Sequence, residues 1–366
     1  VMRTGAGKSL CFQLPALMYK NQTIVISPLV SLMNDQVNQL KDLGINAERF
    51  HSDMIESDRM KIWREFKERK IKILYISPES LMKQDILLEL KSLNISMFVV
   101  DEAHCISKWG SDFRKDYEQL KELRNYFPNS IISAFTATAD EETREDINQK
   151  LSNGEGKIFL NGFNRPNLSL AVQQKIKWQT QLLEFLEDKK KKAGIIYCLS
   201  RKDTETCAKY LADKGFKAFS YHAGMEKIEK SKVQDRFMTE DDLIICATIA
   251  FGMGIDKSNV RFVVHISLPG SMENFYQEIG RAGRDGLPSD TLLIFGLQDL
   301  YQRRKWIFDS SASDEFKVKE IKRLESLIAY CDSATCRRQT LLSYFQEFCE
   351  PCGTCDNCLN PPLMIE

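Results

Sequence analysis

The chain has 366 residues, which is too long for one ordinary hydrophobic core, so its length predicts two domains and a small further unit. Hydrophobic residues make up 43% of the sequence and charged residues 28%, and this composition excludes a disordered chain. The apolar runs are too short to cross a membrane. Because 51 Lys and Arg balance 51 Asp and Glu, any site for a polyanion has to be a local surface.

A glycine-rich segment opens the chain and consists of Thr4, Gly5, Ala6, Gly7, Lys8 and Ser9. It has the pattern of a phosphate-binding loop, in which backbone N–H groups and Lys8 hold phosphate oxygens and the Ser9 hydroxyl binds Mg²⁺. The general motif has Gly where this chain has Met2, and a simple turn into a helix is the alternative. Since Val1 directly precedes this loop, we expect the natural N-terminus to lie upstream.

Short apolar runs alternate with helical patterns in two series along the chain. The first series predicts strands at 23–27, 73–77, 97–101 and 131–136. The second series predicts strands at 194–198, 218–221, 243–247, 262–266 and 291–295. Uniformly apolar strands that alternate with helices are typical of a parallel sheet covered on both faces. We therefore predict an α/β fold with two tandem parallel-sheet domains, divided near residues 161–168, and a helical third unit.

The predicted strand at 97–101 ends in two carboxylates, Asp101 and Glu102, which Ala103 and His104 follow. Ligands gather at the carboxyl ends of the strands in open α/β sheets. Asp101 is therefore the candidate ligand for Mg²⁺, and Glu102 is the candidate group that orients or deprotonates an attacking water. An acidic pair at a strand end is also common in solvated turns and helix N-caps, and only its combination with Lys8 favours nucleotide chemistry.

A second glycine-rich segment, at 277–286, contains Gln277, Arg281 and Arg284. Phosphoryl transfer spreads negative charge over phosphate oxygens, and an arginine delivered from another domain accelerates it by about 10³ to 10⁵. Arg281 and Arg284 are the candidates for this role, because the glycine spacing suits a tight turn beside a ligand. Ordinary cations on a helix face are the alternative.

Four cysteines near the end of the chain follow the spacing C-x15-C-x2-C-x2-C: Cys336, Cys352, Cys355 and Cys358. Four thiolates at this spacing suit tetrahedral Zn²⁺. An iron–sulfur cluster is the rival, since C-x2-C-x2-C also opens a ferredoxin-like run, although no Cys follows three residues after Cys358. Unliganded or disulfide-linked cysteines are the remaining alternative. We expect a reducing, intracellular compartment.

Together these motifs resemble those of the superfamily 2 helicases, and specifically the RecQ family, over essentially the whole chain. The segments 4–9, 27–33, 101–104, 134–139, 251–257 and 277–286 are similar to motifs I, Ia, II (of the DEAH type), III, V and VI. The resemblance implies that Ser27, Ser31 and Thr136 contact DNA. It also implies that Gly254 and Asp256 belong to the nucleotide site.

Two features narrow the resemblance to RecQ. The segment 105–114 resembles the aromatic-rich loop that senses single-stranded DNA in this family, and its candidate DNA contacts are Trp109, Phe113 and Arg114. Aromatic rings stack on any base, and each stacked base contributes about 1 to 3 kcal/mol to the binding free energy. The alternative is that this Trp and this Phe belong to a hydrophobic core beneath a loop. The second feature is the four-cysteine spacing, which in the family holds a structural zinc.

The resemblance implies RecA-like domains at 1–160, with its N-terminal part missing, and at 161–296, followed by a helical zinc-binding domain at 297–366. It implies an ATP-dependent enzyme that uses Mg²⁺ and Zn²⁺ and translocates 3′ to 5′ on single-stranded DNA, unwinding duplexes in DNA repair and recombination. Lys8, Ser9 and Asp101 are expected on one side of the ATP, and the two arginines on the other.

The expected partners are single-stranded and forked DNA, with no membrane. The chain is expected to act as a monomer in the cytoplasm and nucleoid, or in a nucleus. A non-unwinding translocase, an enzyme that acts on RNA and an inactive DNA-binding fragment are the alternatives.

Overall fold

The computed structural model describes residues 1–107, 114–249, 251 and 257–362. It divides into two compact units, one from Val1 to Gly162 and the other from Phe163 onward. Each unit contains one parallel sheet, so the predicted α/β fold with two tandem sheets is confirmed. The predicted domain boundaries stay a prediction, and the helical region lies within the second unit. None of the helices in the described ranges has both the length and the apolar character to span a membrane.

Among the described residues, the first unit forms a five-stranded sheet with the order β2-β3-β1-β4-β5. Its strands are β1 (Thr23–Ile26), β2 (Ala47–Phe50), β3 (Ile73–Ile76), β4 (Met97–Val100) and β5 (Ile131–Ala134). Its α-helices are α1 (Lys8–Met18), α2 (Val30–Asp42), α3 (Glu56–Lys67), α4 (Pro78–Leu81), α5 (Gln84–Lys91), α6 (Lys115–Glu118), α7 (Leu123–Tyr126) and α8 (Glu141–Ser152). Two 3₁₀ turns span Ala103–Ile106 and Gln119–Glu122.

The sheet of the first unit separates two hydrophobic clusters. Ile24 and Ile26 of β1 belong to one cluster, and Val25 between them belongs to the other. Successive side chains of a strand point to opposite faces, so a uniformly apolar strand supplies both cores at once. Phe66 of α3 lies in the first cluster and Phe12 of α1 in the second, which shows how helices cover both faces.

In the described part of the second unit, six strands pair in parallel with the order β6-β11-β10-β7-β9-β8. The strands are β6 (Leu168–Gln174), β7 (Gly194–Tyr197), β8 (Lys217–Tyr221), β9 (Leu243–Ala247), β10 (Phe262–His265) and β11 (Ser289–Phe295). The helices are α9 (Trp178–Leu186), α10 (Arg201–Asp213), α11 (Lys227–Thr239), α12 (Met272–Ile279), α13 (Leu297–Asp309), α14 (Asp314–Asp332), α15 (Arg337–Tyr344) and α16 (Asp356–Leu359).

The helices that follow β11 are anchored to the second sheet through specific polar and aromatic contacts. The backbone N–H of Val172 in β6 donates to the Asp356 carboxylate at 2.9 Å. The Tyr344 hydroxyl donates to the Glu273 carboxylate of α12 at 2.6 Å. Phe345 stacks on Phe163 with a centroid distance of 4.4 Å. The cysteine-bearing helices are therefore built onto the second sheet and do not form a separate lobe.

Candidate nucleotide site and metal centre

The glycines of the phosphate loop adopt a conformation that other residues rarely adopt. Gly5 and Gly7 both have φ of 79°, and Gly7 is the N-cap of α1, which begins at Lys8. Left-handed backbone favours glycine because a Cβ would be strained there. No acidic residue or capping side chain occupies the first turn of α1. Its N–H groups and its dipole are therefore suited to an anion at the point where the sequence places Lys8.

The two candidate carboxylates lie directly after β4. The backbone N–H of Asp101 donates to Ile26 of β1 at 2.9 Å, so the strand register fixes its position. Glu102 has φ of 47° and ψ of 46°, which is unusual for a residue with a side chain. Left-handed non-glycine residues cluster at functional sites, where surrounding structure maintains the strain. The Glu102 Oε1 lies 4.0 Å from the Lys8 Nζ, so the predicted lysine and carboxylate meet.

Asp101 is half-buried next to another acid, Glu102. Burial and the neighbouring Glu102 carboxylate raise the pKa of Asp101 to about 6, although Lys8 and the N–H of Glu102 oppose the shift. That N–H donates to the Asp101 Oδ1 at 2.9 Å. Two adjacent carboxylates that are partly removed from water ionise together more easily when a cation offsets their repulsion. This pair therefore suits a hard divalent cation such as Mg²⁺, which prefers oxygen ligands.

His104 connects this loop to the segment 134–139. Its Nδ1 lies 2.9 Å from the Thr136 Oγ1, and the Thr136 hydroxyl donates to the Thr138 carbonyl at 3.1 Å. Because that hydroxyl already donates, the Nδ1 of His104 is the donor to Thr136. Thr136 is only 3% exposed and Ser27 is also buried, whereas Ser31 is exposed. Of these three predicted DNA contacts, only Ser31 presents its side chain to solvent.

Several predicted residues lie outside the described ranges, namely Trp109, Phe113, Gly254 and Asp256. Arg114, which ends the aromatic-rich segment, is described. Its guanidinium donates to the Pro28 carbonyl at 3.1 Å, which joins it to the segment 27–33 of the first unit.

The arginine-bearing turn follows α12 in the second unit. Arg281 is buried and Arg284 is half-buried, and Gln277 is half-buried within the helix. The Tyr197 hydroxyl of β7 donates to the Phe251 carbonyl at 3.0 Å. Burial raises the pKa of Tyr197 to about 12, although the Arg281 cation opposes the shift. Gly283 has φ of 56°, and a Cβ there would lie 2.8 Å from the Leu287 carbonyl, so this position requires glycine.

Arg165 fixes this turn, and the sequence did not identify it. Its guanidinium donates to the carbonyls of Gly280, Ala282 and Gly283 at 3.2, 2.7 and 2.8 Å. A buried cation at a helix C-terminus satisfies carbonyls that have no partner within the helix. The available signal was that Arg165 lies in the irregular segment 161–168, where the sequence predicts the division between the two domains.

The four predicted cysteines of the second unit form one cluster. All four Sγ atoms lie within 4.8 Å of one another, with 3.9 Å between Cys336 and Cys355 and 4.0 Å between Cys352 and Cys358. Zn–S bonds of about 2.3 Å place the sulfurs of a tetrahedral site about 3.8 Å apart. The backbone N–H groups of Arg337 and Cys352 also donate to sulfurs, which favours thiolates. The donor set therefore fits Zn²⁺.

Two arginines beside the cluster, Arg337 and Arg338, are buried, with exposed fractions of 6% and 5%. Arg337 binds the Asp356 carboxylate at 3.0 Å and the Tyr330 carbonyl at 2.7 Å. Arg338 donates to the carbonyls of Arg165 and Leu168. Both side chains hold the cluster on the second sheet.

Three family models match the chain in order: DEAD/DEAH box helicase over residues 1–147, helicase conserved C-terminal domain over 174–286, and RecQ zinc-binding over 297–359. With the two parallel sheets and the phosphate loop, they define a protein of the DEAD/DEAH-box helicase class. The ATP-dependent DNA helicases RecQ of Pasteurella multocida and Haemophilus influenzae are each 43% identical to this chain and align with 100% and 99% of it. The chain belongs to the RecQ family. It spans 58% of the length of each of these two relatives.

Solved structures show the same fold at low identity. The helicase Lhr of Mycobacterium smegmatis, bound to single-stranded DNA and AMP-PNP, matches with a TM-score of 0.61 and 18% identity. That match covers 95% of this chain and 51% of Lhr, and it supports the fold alone.

Proposed function

We propose that this chain is the motor of an ATP-dependent DNA helicase, which couples ATP hydrolysis to 3′ to 5′ translocation on single-stranded DNA and to duplex unwinding. One observation carries the proposal: Lys8, directly after the phosphate loop, lies 4.0 Å from Glu102 at the end of β4. A phosphate-loop lysine beside an acidic pair at a strand end is the arrangement that nucleotide hydrolysis requires. The names of the RecQ relatives support the same activity.

In this proposal the first unit binds the phosphates of ATP. The N–H groups of residues 4–9 and the Lys8 ammonium hold the phosphate oxygens, and Ser9 and Asp101 hold Mg²⁺, which supplies charge neutralisation. Glu102 orients or deprotonates the attacking water. The His104–Thr136 hydrogen bond joins the loop that carries Glu102 to the segment 134–139.

Arg281 and Arg284 are proposed to stabilise the negative charge that develops on the transferred phosphate, with Gln277 in the same segment. The hydrogen bonds from Arg165 to three carbonyls of this turn support the proposal, because they fix the backbone that carries both arginines. Gly254 and Asp256 are proposed to contact the nucleotide on the resemblance alone.

The DNA-binding part of the proposal concerns Trp109, Phe113, Arg114 and Ser31. The contact between Arg114 and Pro28 supports it, because it joins two segments that resemble DNA-binding motifs. The buried positions of Ser27 and Thr136 favour a structural contribution for these two. Five further parts of the proposal rest on the family alone. They are the direction of movement, single-stranded and forked DNA as partners, a monomeric state, action inside the cell at the nucleoid or in a nucleus, and a role in repair and recombination. A structural Zn²⁺ in the cysteine cluster completes the proposal.

The variant Glu102→Gln tests the proposal most directly, with the exposed Glu56→Gln of α3 as its matched control. We expect single-stranded DNA to stimulate ATP hydrolysis by the parent and the control. Glu102→Gln should keep ATP binding and hydrolyse about 10² to 10⁴ times more slowly, since it loses the group that acts on water.

Equal hydrolysis rates for Glu102→Gln and the parent would refute the assigned role of Glu102. Unwinding of fluorescent DNA and RNA duplexes by the parent tests the substrate. Hydrolysis stimulated by DNA without strand separation would leave a translocase, and a preference for RNA would contradict the DNA assignment.

A further inference from the structure

Helix α13 has an outer face that combines aromatic and basic side chains. Tyr301, Arg304, Lys305 and Phe308 follow the spacing i, i+3, i+4, i+7, so they share one side of the helix. All four are exposed, and the accessible fractions of Tyr301 and Phe308 are 69% and 60%. Surface helices normally direct large apolar side chains towards the core, so two exposed rings on one face indicate a binding surface.

The opposite side of α13 anchors the helix to the second unit. Asp299 is buried and its carboxylate pairs with the Lys175 Nζ at 2.7 Å. Arg303 donates its Nε–H to the Leu268 carbonyl at 2.8 Å and lies 5.4 Å from the ring centroid of Trp306. Because these groups are used within the fold, the helix is fixed with Tyr301 and its three neighbours outward.

Helix α14 borders this outer face and adds to its charge. The Lys317 Nζ donates to the Phe308 carbonyl at 3.0 Å, and Arg304 lies 3.8 Å from Glu325. Lys322 is exposed one turn before Glu325 on the same side of α14. Asp309, exposed four residues after Lys305, adds a second carboxylate. Arg304, Lys305 and Lys322 still outnumber Glu325 and Asp309, and an exposed ion pair at this distance is weak.

We propose that the surface formed by Tyr301, Arg304, Lys305 and Phe308, the α13 face, binds single-stranded DNA. Cations attract phosphates, and the two rings offer stacking platforms for unpaired bases. In a duplex the base faces already stack on one another, so exposed rings favour a single strand. The chain has zero net charge, so this attraction has to come from such a local patch. The inference rests on the proposed function and extends it to a strand contact outside the motor motifs.

The aromatic part of the surface is tested with the double variant Tyr301→Ala and Phe308→Ala in the intact, zinc-bearing chain. Its control is Ile228→Ala with Met238→Ala, which removes two exposed apolar side chains from α11 in the same unit. Binding of a dye-labelled oligo(dT) without ATP is followed by fluorescence anisotropy. We expect Kd to rise about tenfold or more for the aromatic variant and to stay within about twofold for the control.

The basic part is tested with Arg304→Ala and Lys305→Ala, and Lys227→Ala with Lys232→Ala on α11 removes the same charge elsewhere. Each phosphate contact on a single strand contributes about 0.7 to the slope of log Kd against log salt concentration. The α13 variant should therefore lose about 1.4 from that slope. The α11 control should keep the slope of the parent.

Unchanged oligo(dT) binding by both α13 variants would overturn the proposal, and so would an equal loss in the α11 controls. If the α13 variants lost as much affinity for a blunt duplex as for oligo(dT), that result would contradict the assignment to single-stranded DNA. DNA binding that is normal while a protein partner is lost would identify a different occupant and also overturn it. These outcomes can be distinguished from failure of the proposed function. In that case, DNA would not stimulate ATP hydrolysis by the parent.

Discussion

The phosphate loop and the cysteine cluster are held in opposite ways. The phosphate loop depends on backbone conformation at Gly5, Gly7 and Glu102, and its lysine and carboxylate approach only to 4.0 Å. The cysteine cluster is enclosed by buried side chains, with Arg337 and Arg338 donating to backbone carbonyls and to Asp356. A site that binds and releases a ligand benefits from groups that are not tightly paired, whereas a structural metal site gains from being tied into the core.

Among the substitutions that test this contrast, Cys355→Ser is expected to have the largest effect on stability. Cys355 is fully buried and its sulfur accepts a hydrogen bond from the N–H of Arg337. Zinc-finger sites bind zinc with about 10 to 16 kcal/mol, so loss of a ligand should lower the free energy of unfolding by about 5 kcal/mol or more. Zinc content by metal analysis and the thermal unfolding temperature measure the two effects.

Cys349→Ser is the control, because Cys349 is a cysteine of the same region that lies outside the cluster. It should retain zinc and unfold like the parent. Full zinc retention by Cys355→Ser would show that the bound zinc does not depend on this cluster, and the contrast with the phosphate loop would disappear.

A smaller effect is expected from Arg338→Ala. The Arg338 guanidinium donates to the Leu168 carbonyl at 2.6 Å and to the Asn164 side chain at 3.0 Å. Its removal leaves buried acceptors without a donor, which should cost about 3 kcal/mol in chemical denaturation. Lys322→Ala, an exposed change on α14, should cost less than about 0.5 kcal/mol. A cost for Arg338→Ala as small as this control would mean that the cysteine region is not tied into the sheet.

The sequence predicted the central strands of both sheets and missed two edge strands, β2 and β6. β2 contains Glu48 and Arg49, and β6 ends in two glutamines, so neither shows the continuous apolar pattern of a buried strand. Both lie at the edge of their sheet, where one side of the strand has no neighbour among the described strands. The edge strands β5 and β8 were predicted from their short apolar runs, so a position at the edge alone does not hide a strand. Where polar residues interrupt the pattern, as in β2 and β6, the strand depends on tertiary pairing.

The same distinction applies to the sites. The phosphate loop, the acidic pair and the cysteine spacing are encoded in short segments, so their residue types could be recognised directly. Arg165 could not be recognised, because its carbonyl partner Gly280 lies 115 residues further along the chain. The burial of Thr136 likewise depends on His104, which lies 32 residues earlier. Contacts of this kind appear only once the chain is folded.

The smallest expected effect on stability concerns Asp101, whose removal is expected to stabilise the protein at neutral pH. Burial and Glu102 raise its pKa to about 6, whereas a free aspartic acid has a pKa of about 3.9. The folded chain therefore holds this proton more tightly than the unfolded chain, so stability is lost as pH rises from about 4 through about 6. Asp101→Asn has no charge to bury, and without nucleotide it should be more stable than the parent at pH 7.5 by about 1 to 2 kcal/mol.

At pH 4 the difference between the two proteins should be much smaller, because Asp101 is protonated in the folded parent and about half protonated in the unfolded parent. Thermal unfolding at both pH values measures the difference, and Ser9→Ala is the control because it changes the proposed Mg²⁺ ligands without changing a charge. A parent that is more stable than Asp101→Asn at pH 7.5 would mean that Lys8 already compensates the buried charge. The phosphate loop would then be as internally satisfied as the cysteine cluster, against the contrast drawn between them.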